Sequence, residues 1–219
     1  MKSCVKIIGM ACLMGAMFSS SLKGQTLGKR GVAAIQLRTN TLYDMAACPN
    51  MGVEIQTDHG IAWQLDYIGA WWNSDARHHY WSNYAFQTEL RYYLTPAEPE
   101  QPFVGHHLGI YGQLATYDFE FGGTGYMCRD LDRSFGIGVS YGYSFPLNRK
   151  LSLDMTLGLG FFGSRYDVYE PYLQDYMQTD KRHFTYWGPT KLEVSLVWNL
   201  NKENNKGGRY TARPKSYRP

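Results

Sequence analysis

Eight charged residues stand at alternate positions within apolar segments, and their types could support ion-pair or proton chemistry. They comprise five acids and three bases: Arg38, Glu54, Asp66, Glu89, Arg91, Asp154, Lys191 and Glu193. Alternate residues of a strand share one face, so we expect these side chains to lie inside a closed sheet. A polar network that fills this interior is the favoured interpretation. Proton or ion passage and acid–base catalysis by a carboxylate pair stay open as alternatives.

The segment 73–83 holds a second group of reactive residue types. Asp75, His79 and Ser82 are the types used by outer-membrane enzymes that hydrolyse or transfer lipid acyl chains. A general base must lie about 2.6 to 3.2 Å from its nucleophile, and spacing in a loop does not establish that contact. We therefore predict no catalytic residues, and keep these three as candidates under the alternative of a lipid-modifying enzyme.

Two cysteines fall in different connections of the predicted fold. Cys48 and Cys128 are candidates for a disulfide, because an exported protein meets oxidising conditions. Two unpaired thiols are the other interpretation. With His78, His79 and His183 they supply zinc-type ligands, but these segments contain no Cys-x-x-Cys or His-x-x-x-His pair. We expect no metal site and no cofactor.

A strict alternation of small or polar residues with apolar residues runs from Ser134 to Leu147, which predicts a strand. Eight segments share the pattern, at about 32–42, 51–57, 61–72, 84–94, 103–115, 134–146, 151–163 and 188–200. Three of the connections are short, and four are longer: 43–50, 73–83, 116–133 and 164–187. This alternation of short turns with long loops is typical of outer-membrane barrels.

The two faces of these strands differ in a way that favours a membrane. One set is bulky and apolar, and the other is rich in charged residues, glutamines and glycines. Glycines suit a crowded interior, and aromatic residues gather toward the strand ends as interfacial girdles do. The sequence therefore predicts an all-β fold, an eight-stranded antiparallel transmembrane β-barrel of outer-membrane type. A soluble secreted β-barrel that binds a ligand is the alternative.

The chain divides into a signal segment, a barrel and a tail. Residues 1–24 carry two early lysines, an uncharged apolar run and small residues at the end, as secretory signals do. Residues 25–200 form the predicted barrel, and residues 201–219 form a basic tail that we expect to be flexible and periplasmic. The formal net charge of +3 arises from the signal and the tail, so it is no indication of nucleic-acid binding.

Several short motifs stand out along the chain: Thr39–Asp44 with Pro49–Glu54, Glu89–Tyr93, Phe103–His107, Gly138–Tyr143, Gly158–Gly160 and Gly188–Lys191. Together they resemble an uncharacterised outer-membrane family of Bacteroides-type bacteria. Thr88 stands where the family pattern has a proline, and the tail lies outside the pattern. The resemblance implies a barrel, a domain of unknown function often encoded near fimbrial genes. It implies no established activity.

These observations favour a non-enzymatic protein of the cell outer membrane. Two of the long connections are rich in aromatic residues, which supply large contact areas for recognition at low entropic cost. We expect the chain to be a monomer that contacts outer-membrane lipid and binds a surface or fimbrial protein partner through its loops. No nucleic-acid partner is expected.

Overall fold

The structure is all-β. A computed structural model describes residues 34–57, 60–74, 79–94, 103–121, 123–148, 150–172 and 175–200. It contains nine strands: β1 Ala34–Asn40, β2 Asn50–Gln56, β3 Ile61–Ser74, β4 His79–Tyr93, β5 Gly105–Phe121, β6 Thr124–Cys128, β7 Ser134–Pro146, β8 Leu151–Tyr172 and β9 Asp175–Asn199. A short helix, α1, spans Thr41–Met45, and a single 3₁₀ turn spans Leu131–Arg133. Within the described residues, no helix is long and apolar enough to cross a membrane.

Eight of the strands form a closed ring of antiparallel pairings. The order is β1, β2, β3, β4, β5, β7, β8 and β9, and β9 pairs back onto β1 with Arg38 opposite Val197. Strand β6 is the ninth, and it lies beyond the end of β7, where it pairs with β5 and β8. The ring therefore leaves no unpaired strand edge at its middle.

The ring is polar inside and apolar outside, which is the reverse of a closed sheet in a soluble protein. The side chains that face the interior are mainly polar, and most of them are buried. The outward side chains are large and apolar, with Leu108 48% and Val139 61% exposed. Alternation along each strand produces this separation, because successive residues lie on opposite faces.

Apolar side chains close the interior near both ends of the ring. At the end with the short connections, Ala34, Ala62, Tyr93 and Phe103 form a buried cluster. The Phe103 backbone N–H donates to Gln56 Oε1 at 3.0 Å, which fixes this residue over the interior. At the other end Cys48, Ile68 and Ala70 form a second cluster, against which Tyr43 and Ala85 pack.

Each of the eight predicted segments overlaps an observed strand, but the prediction of long loops was wrong in three places. Strands β3 and β4 extend into 73–83, β5 and β6 occupy most of 116–133, and β8 and β9 occupy the described residues of 164–187. These extensions continue beyond β1, β2 and β7, so they lie outside the charged interior of the ring and lack its clear alternation. We call them together the projecting sheet. The predicted signal segment 1–24 and tail 201–219 lie outside the described residues.

Candidate functional site

The interior of the ring is the candidate site, and small residues make room for its large charged groups. Arg38 lies opposite Gly52 of β2, and Arg91 lies opposite Gly109 of β5. A Cβ atom at position 52 would lie 2.8 Å from Cγ of Arg38, which is closer than real Cβ contacts. The glycines of the inner face therefore permit the two arginine side chains to cross the interior.

Arg38 forms the first centre of the network. Its Nη1 donates to Glu54 Oε2 at 3.0 Å, and its Nη2 donates to Asp154 and to Glu193, both at 3.1 Å. Its Nε lies 3.7 Å from Asp66 Oδ1. One guanidinium group thus contacts carboxylates from β2, β3, β8 and β9.

Arg91 forms the second centre and shares three carboxylates with Arg38. Its Nη1 lies 3.3 Å from both Glu54 and Asp154, and its Nη2 lies 3.1 Å from both Glu89 and Glu193. The Arg91 side chain is completely buried. Planar guanidinium groups with several donors suit such a shared arrangement, because each can contact more than one carboxylate.

Lys191 completes the set of cations. Its Nζ bonds to Glu89 and lies 3.1 Å from Glu193 Oε1, while the Tyr111 ring lies beneath it with its centroid 5.4 Å away. The structure thus brings all eight predicted charged residues into one network. Uncharged groups add to it: Tyr93 Oη donates to Glu54 at 2.8 Å.

His107 belongs to the network but is absent from the predicted set. Its Nε2 lies 3.0 Å from Asp154 Oδ2, and its ring packs against Tyr93 with centroids 5.1 Å apart. Within the described part of the chain, neither His107 Nδ1 nor Arg91 Nε has a hydrogen-bond partner. The alternation of β5 could have found this residue, because it stands two positions before Gly109 on the same face.

The arrangement is suited to holding the strands of the ring together. Five carboxylates face two guanidinium groups, one ammonium group and one imidazole, and all except Asp66 are fully or almost fully buried. Tyr43 covers the network at the α1 end, and burial together with the charges of Glu193 and Asp66 raises the pKa of its hydroxyl to about 12. No group of histidines, cysteines or carboxylates among the described residues has an arrangement that would hold a metal ion.

The candidate disulfide is not formed. Cys48 and Cys128 are free and buried, and their thiols lie near the carbonyl oxygens of Ala46 and Asp130, at 3.6 and 3.7 Å. Cys48 packs against β3, whereas Cys128 lies on β6, and β4 and β5 stand between these strands. Burial raises the pKa of both thiols.

Of the three candidate residues of an acyl-chain enzyme, the structure places His79 and Ser82 three positions apart in β4. Ser82 is nearly buried, at 9% exposure. Asp75 and His78 lie outside the described residues, whereas His183 is exposed on β9.

Comparison with known proteins identifies the family of the chain. A family model described as a protein of unknown function, DUF3575, matches residues 10–200. The chain belongs to this family. The comparisons with curated proteins and with solved structures give no match.

The projecting sheet of this DUF3575 protein has an aromatic inner face that continues the face lining the ring. Tyr117 Oη lies 2.7 Å from Ser164 Oγ, which marks the boundary between the polar interior and this surface. Beyond it lie aromatic residues that are partly or largely exposed: Trp72, Trp81, Phe119, Tyr126, Tyr166, Phe184 and Tyr186. Rings from neighbouring strands contact one another, as Trp81 and Phe119 do at 5.4 Å. The aromatic character predicted for these segments thus lies on strands rather than on loops.

Proposed function

We propose that this protein is a monomeric transmembrane β-barrel of the bacterial outer membrane, with the projecting sheet outside the cell as a platform for a protein partner. The ring of eight strands would span the membrane, and the buried ion-pair network would fill its interior. The function would be non-enzymatic, with recognition by the exposed aromatic strands.

The polarity of the ring carries this proposal. Water-soluble closed sheets bury apolar residues inside, whereas this ring buries four carboxylates and three basic groups and exposes leucine, isoleucine and valine. Exposed apolar patches larger than a few hundred Å² are rare on soluble monomers. Contact with lipid instead of water would lower the free energy of a folded state with such an outer face.

Two belts of outward aromatic residues support a membrane position. One belt includes neighbouring pairs near the projecting sheet: Tyr67 with Phe86, Phe135 with Phe161, and Phe161 with Trp187. The other lies near the short connections, where Tyr143 contacts Phe145 and His106. The ten residue steps from Phe135 to Phe145 span about 33 Å along β7, or about 25 Å of height at a tilt of about 40°. This height equals that of the apolar band of outer-membrane barrels.

The orientation would expose the projecting sheet to the exterior, because outer-membrane barrels place short turns in the periplasm. The resemblance to a family of Bacteroides-type bacteria often encoded near fimbrial genes favours a fimbrial or other surface protein as the partner. Aromatic residues on exposed strands suit protein recognition, since they add contact area at low entropic cost.

Fractionation of cells that produce the tagged protein tests the proposal. We expect the chain in the outer-membrane fraction, resistant to washing with alkaline carbonate and released by detergent. We also expect the folded protein to migrate differently from the boiled protein in gel electrophoresis. Recovery in the soluble periplasmic or secreted fraction would exclude the membrane barrel and favour a soluble secreted β-barrel.

A further inference from the structure

One edge of the projecting sheet has no neighbouring strand among the described residues. Strand β1 ends at Asn40, opposite Ser195, so β9 continues from Val194 back to Asp175 with β8 on one side only. The corresponding edge of β3 is partly covered, because Gly69 N–H donates to Pro49 O and Trp72 Nε1 donates to Ala47 O. The β9 edge is thus the open side of the sheet.

The backbone groups that face this edge can be assigned. Val194 N–H and Leu192 C=O contact the Asn40 side chain, and Leu200 N–H donates to Ile35 O, so even-numbered residues here face β1. An irregularity in the pairing of β9 leaves Thr190 without an opposite residue in β8. Before Thr190 in the chain, the odd-numbered residues of β9 therefore face the edge and the even-numbered residues face β8. Lys181, His183, Thr185 and Trp187 therefore direct their N–H and C=O groups to the open edge.

Two details agree with this assignment. The Lys181 N–H donates to the carboxylate of Asp180 at 2.8 Å rather than to β8. Pro189, which has no N–H, stands at the next position that faces the edge. The segment 180–188 pairs with β8 without interruption and lies between two irregularities, so the alternation of its edge groups is continuous.

The side chains beside the edge indicate the chemistry of that strand. On the outer face Lys181 and His183 lie next to Arg165 of β8, and all three are exposed. Asp167 lies opposite Lys181 and pairs with Arg133 at 3.3 Å, so basic residues outnumber acidic ones on this face. On the inner face Phe184 and Tyr186 are 49% and 39% exposed, with ring planes inclined by only 8°. A strand with acidic residues on one face and apolar residues on the other complements both faces.

A second copy of the chain fits the edge less well. Antiparallel pairing of two identical edges relates the copies by a two-fold axis perpendicular to the sheet. The two rings would then point in opposite directions, which is incompatible with one membrane.

We propose that the open edge of β9 at Asp180–Gly188 binds an extended acidic segment of another protein, which adds as a strand to the projecting sheet. This inference rests on the proposed function and assigns its partner surface. Main-chain hydrogen bonds would provide affinity, and the basic and aromatic side chains would provide selectivity.

Peptide binding to the full-length protein in detergent micelles tests this. The probes are fluorescein-labelled nine-residue peptides that alternate glutamate with valine, or lysine with valine, and binding is read as fluorescence anisotropy. We expect saturable binding of the acidic peptide and at least about 10-fold weaker binding of the basic peptide. Salt at about 0.5 M screens charges, so it should weaken binding of the acidic peptide by at least about 10-fold as well.

Matched variants separate the strand-addition mechanism from general adhesion. Thr185→Pro removes an N–H that faces the edge and no bond to β8, so we expect at least about a 10-fold loss, whereas Thr185→Ala keeps the N–H and should bind normally. Lys181→Glu should weaken binding by a similar factor. Lys150→Glu, at the opposite end of the ring, should leave binding unchanged.

The outcomes distinguish a failure of the docking proposal from a failure of the proposed function. Equal binding by Thr185→Pro and Thr185→Ala, or by both peptides, overturns the docking proposal. An absence of peptide binding by protein that is recovered from the outer membrane overturns it as well, and so does self-association that depends on Thr185. Recovery of the chain in a soluble fraction overturns the proposed function instead.

Discussion

Arg91 contacts four carboxylates, three of which come from strands other than its own. Such buried charges lower the free energy only when they are paired, because taking an ion out of water costs several kcal/mol. The contacts of Arg91 and Arg38 connect β4 and β1 to β8 and β9 across the interior. At the scale of single residues, these ion pairs thus hold the strands of the ring in fixed positions relative to one another.

Replacing Arg91 with methionine tests this role. The change leaves four buried carboxylates with fewer cations, so we expect the free energy of unfolding to fall by about 3 to 5 kcal/mol. Tryptophan fluorescence during guanidinium unfolding in detergent measures it. Arg182→Met is the control, because Arg182 pairs with Asp180 on an exposed surface, where ion pairs contribute little, and it should leave the free energy of unfolding nearly unchanged. Equal effects of the two variants would show that the network adds no stability.

The two cysteines of the described chain give a second residue-scale prediction. Both thiols are buried and free, and burial raises the pKa of each, which lowers the thiolate fraction near neutral pH. We expect maleimide to label neither Cys48 nor Cys128 in the folded protein at pH 7 and both after unfolding, without a reductant. Mass spectrometry counts the labels. Labels that require a reductant would indicate a disulfide.

At the scale of elements, the sequence predicts strands where two different environments alternate. Ser134–Leu147 is recognisable because one face lies in a polar interior and the other is apolar, and the structure has a strand at Ser134–Pro146. Residues 180–187 of the projecting part of β9 are exposed on both faces and of mixed type, so the sequence predicts a loop there. Strand β6 is missed because five residues provide too few alternations.

The predicted site residues illustrate the same principle. Alternation alone places Arg38 and Lys191 on one face, and the structure brings them into one network. The sequence cannot supply the contacts, because partners such as Arg38 and Glu193 are 155 positions apart and meet only when β9 pairs with β1. It also gives no criterion for choosing His107 over His106, except its position relative to Gly109.

The close approach of β7 and β8 gives a prediction at this scale. A Cβ atom at Gly160 would lie 2.7 Å from the Gly138 Cα atom, so the strands must move apart to accept it. At Gly112 the nearest atom would be the Gly136 carbonyl oxygen at 3.9 Å, an ordinary contact. We expect Gly160→Ala to lower the free energy of unfolding by about 1 to 3 kcal/mol.

Gly112→Ala is the matched control and should change stability by less than about 0.5 kcal/mol. Guanidinium unfolding of the two variants in the same detergent compares them. If Gly160→Ala were as stable as Gly112→Ala, the spacing between β7 and β8 would be wider than described.

At the scale of the whole molecule, the ring combines an interior of ion pairs with an apolar exterior. Its central apolar band lies between two aromatic belts, and the projecting sheet extends beyond one of them. We interpret this division as a membrane anchor that supports an extracellular binding platform. The proposed strand addition at β9 would join the partner directly to the anchor, because β9 is continuous from the ring to the platform.

The accessibility of the outer band to lipid tests the membrane proposal most directly. Spin labels would be attached at position 157, outward in the middle of β8, and at position 185 on the projecting part of β9, in a chain with Cys48 and Cys128 replaced by alanine. In reconstituted bilayers we expect the label at 157 to collide mainly with oxygen, which concentrates in lipid, and the label at 185 to collide mainly with a water-soluble nickel complex. Equal access of the nickel complex to both labels would contradict the membrane barrel.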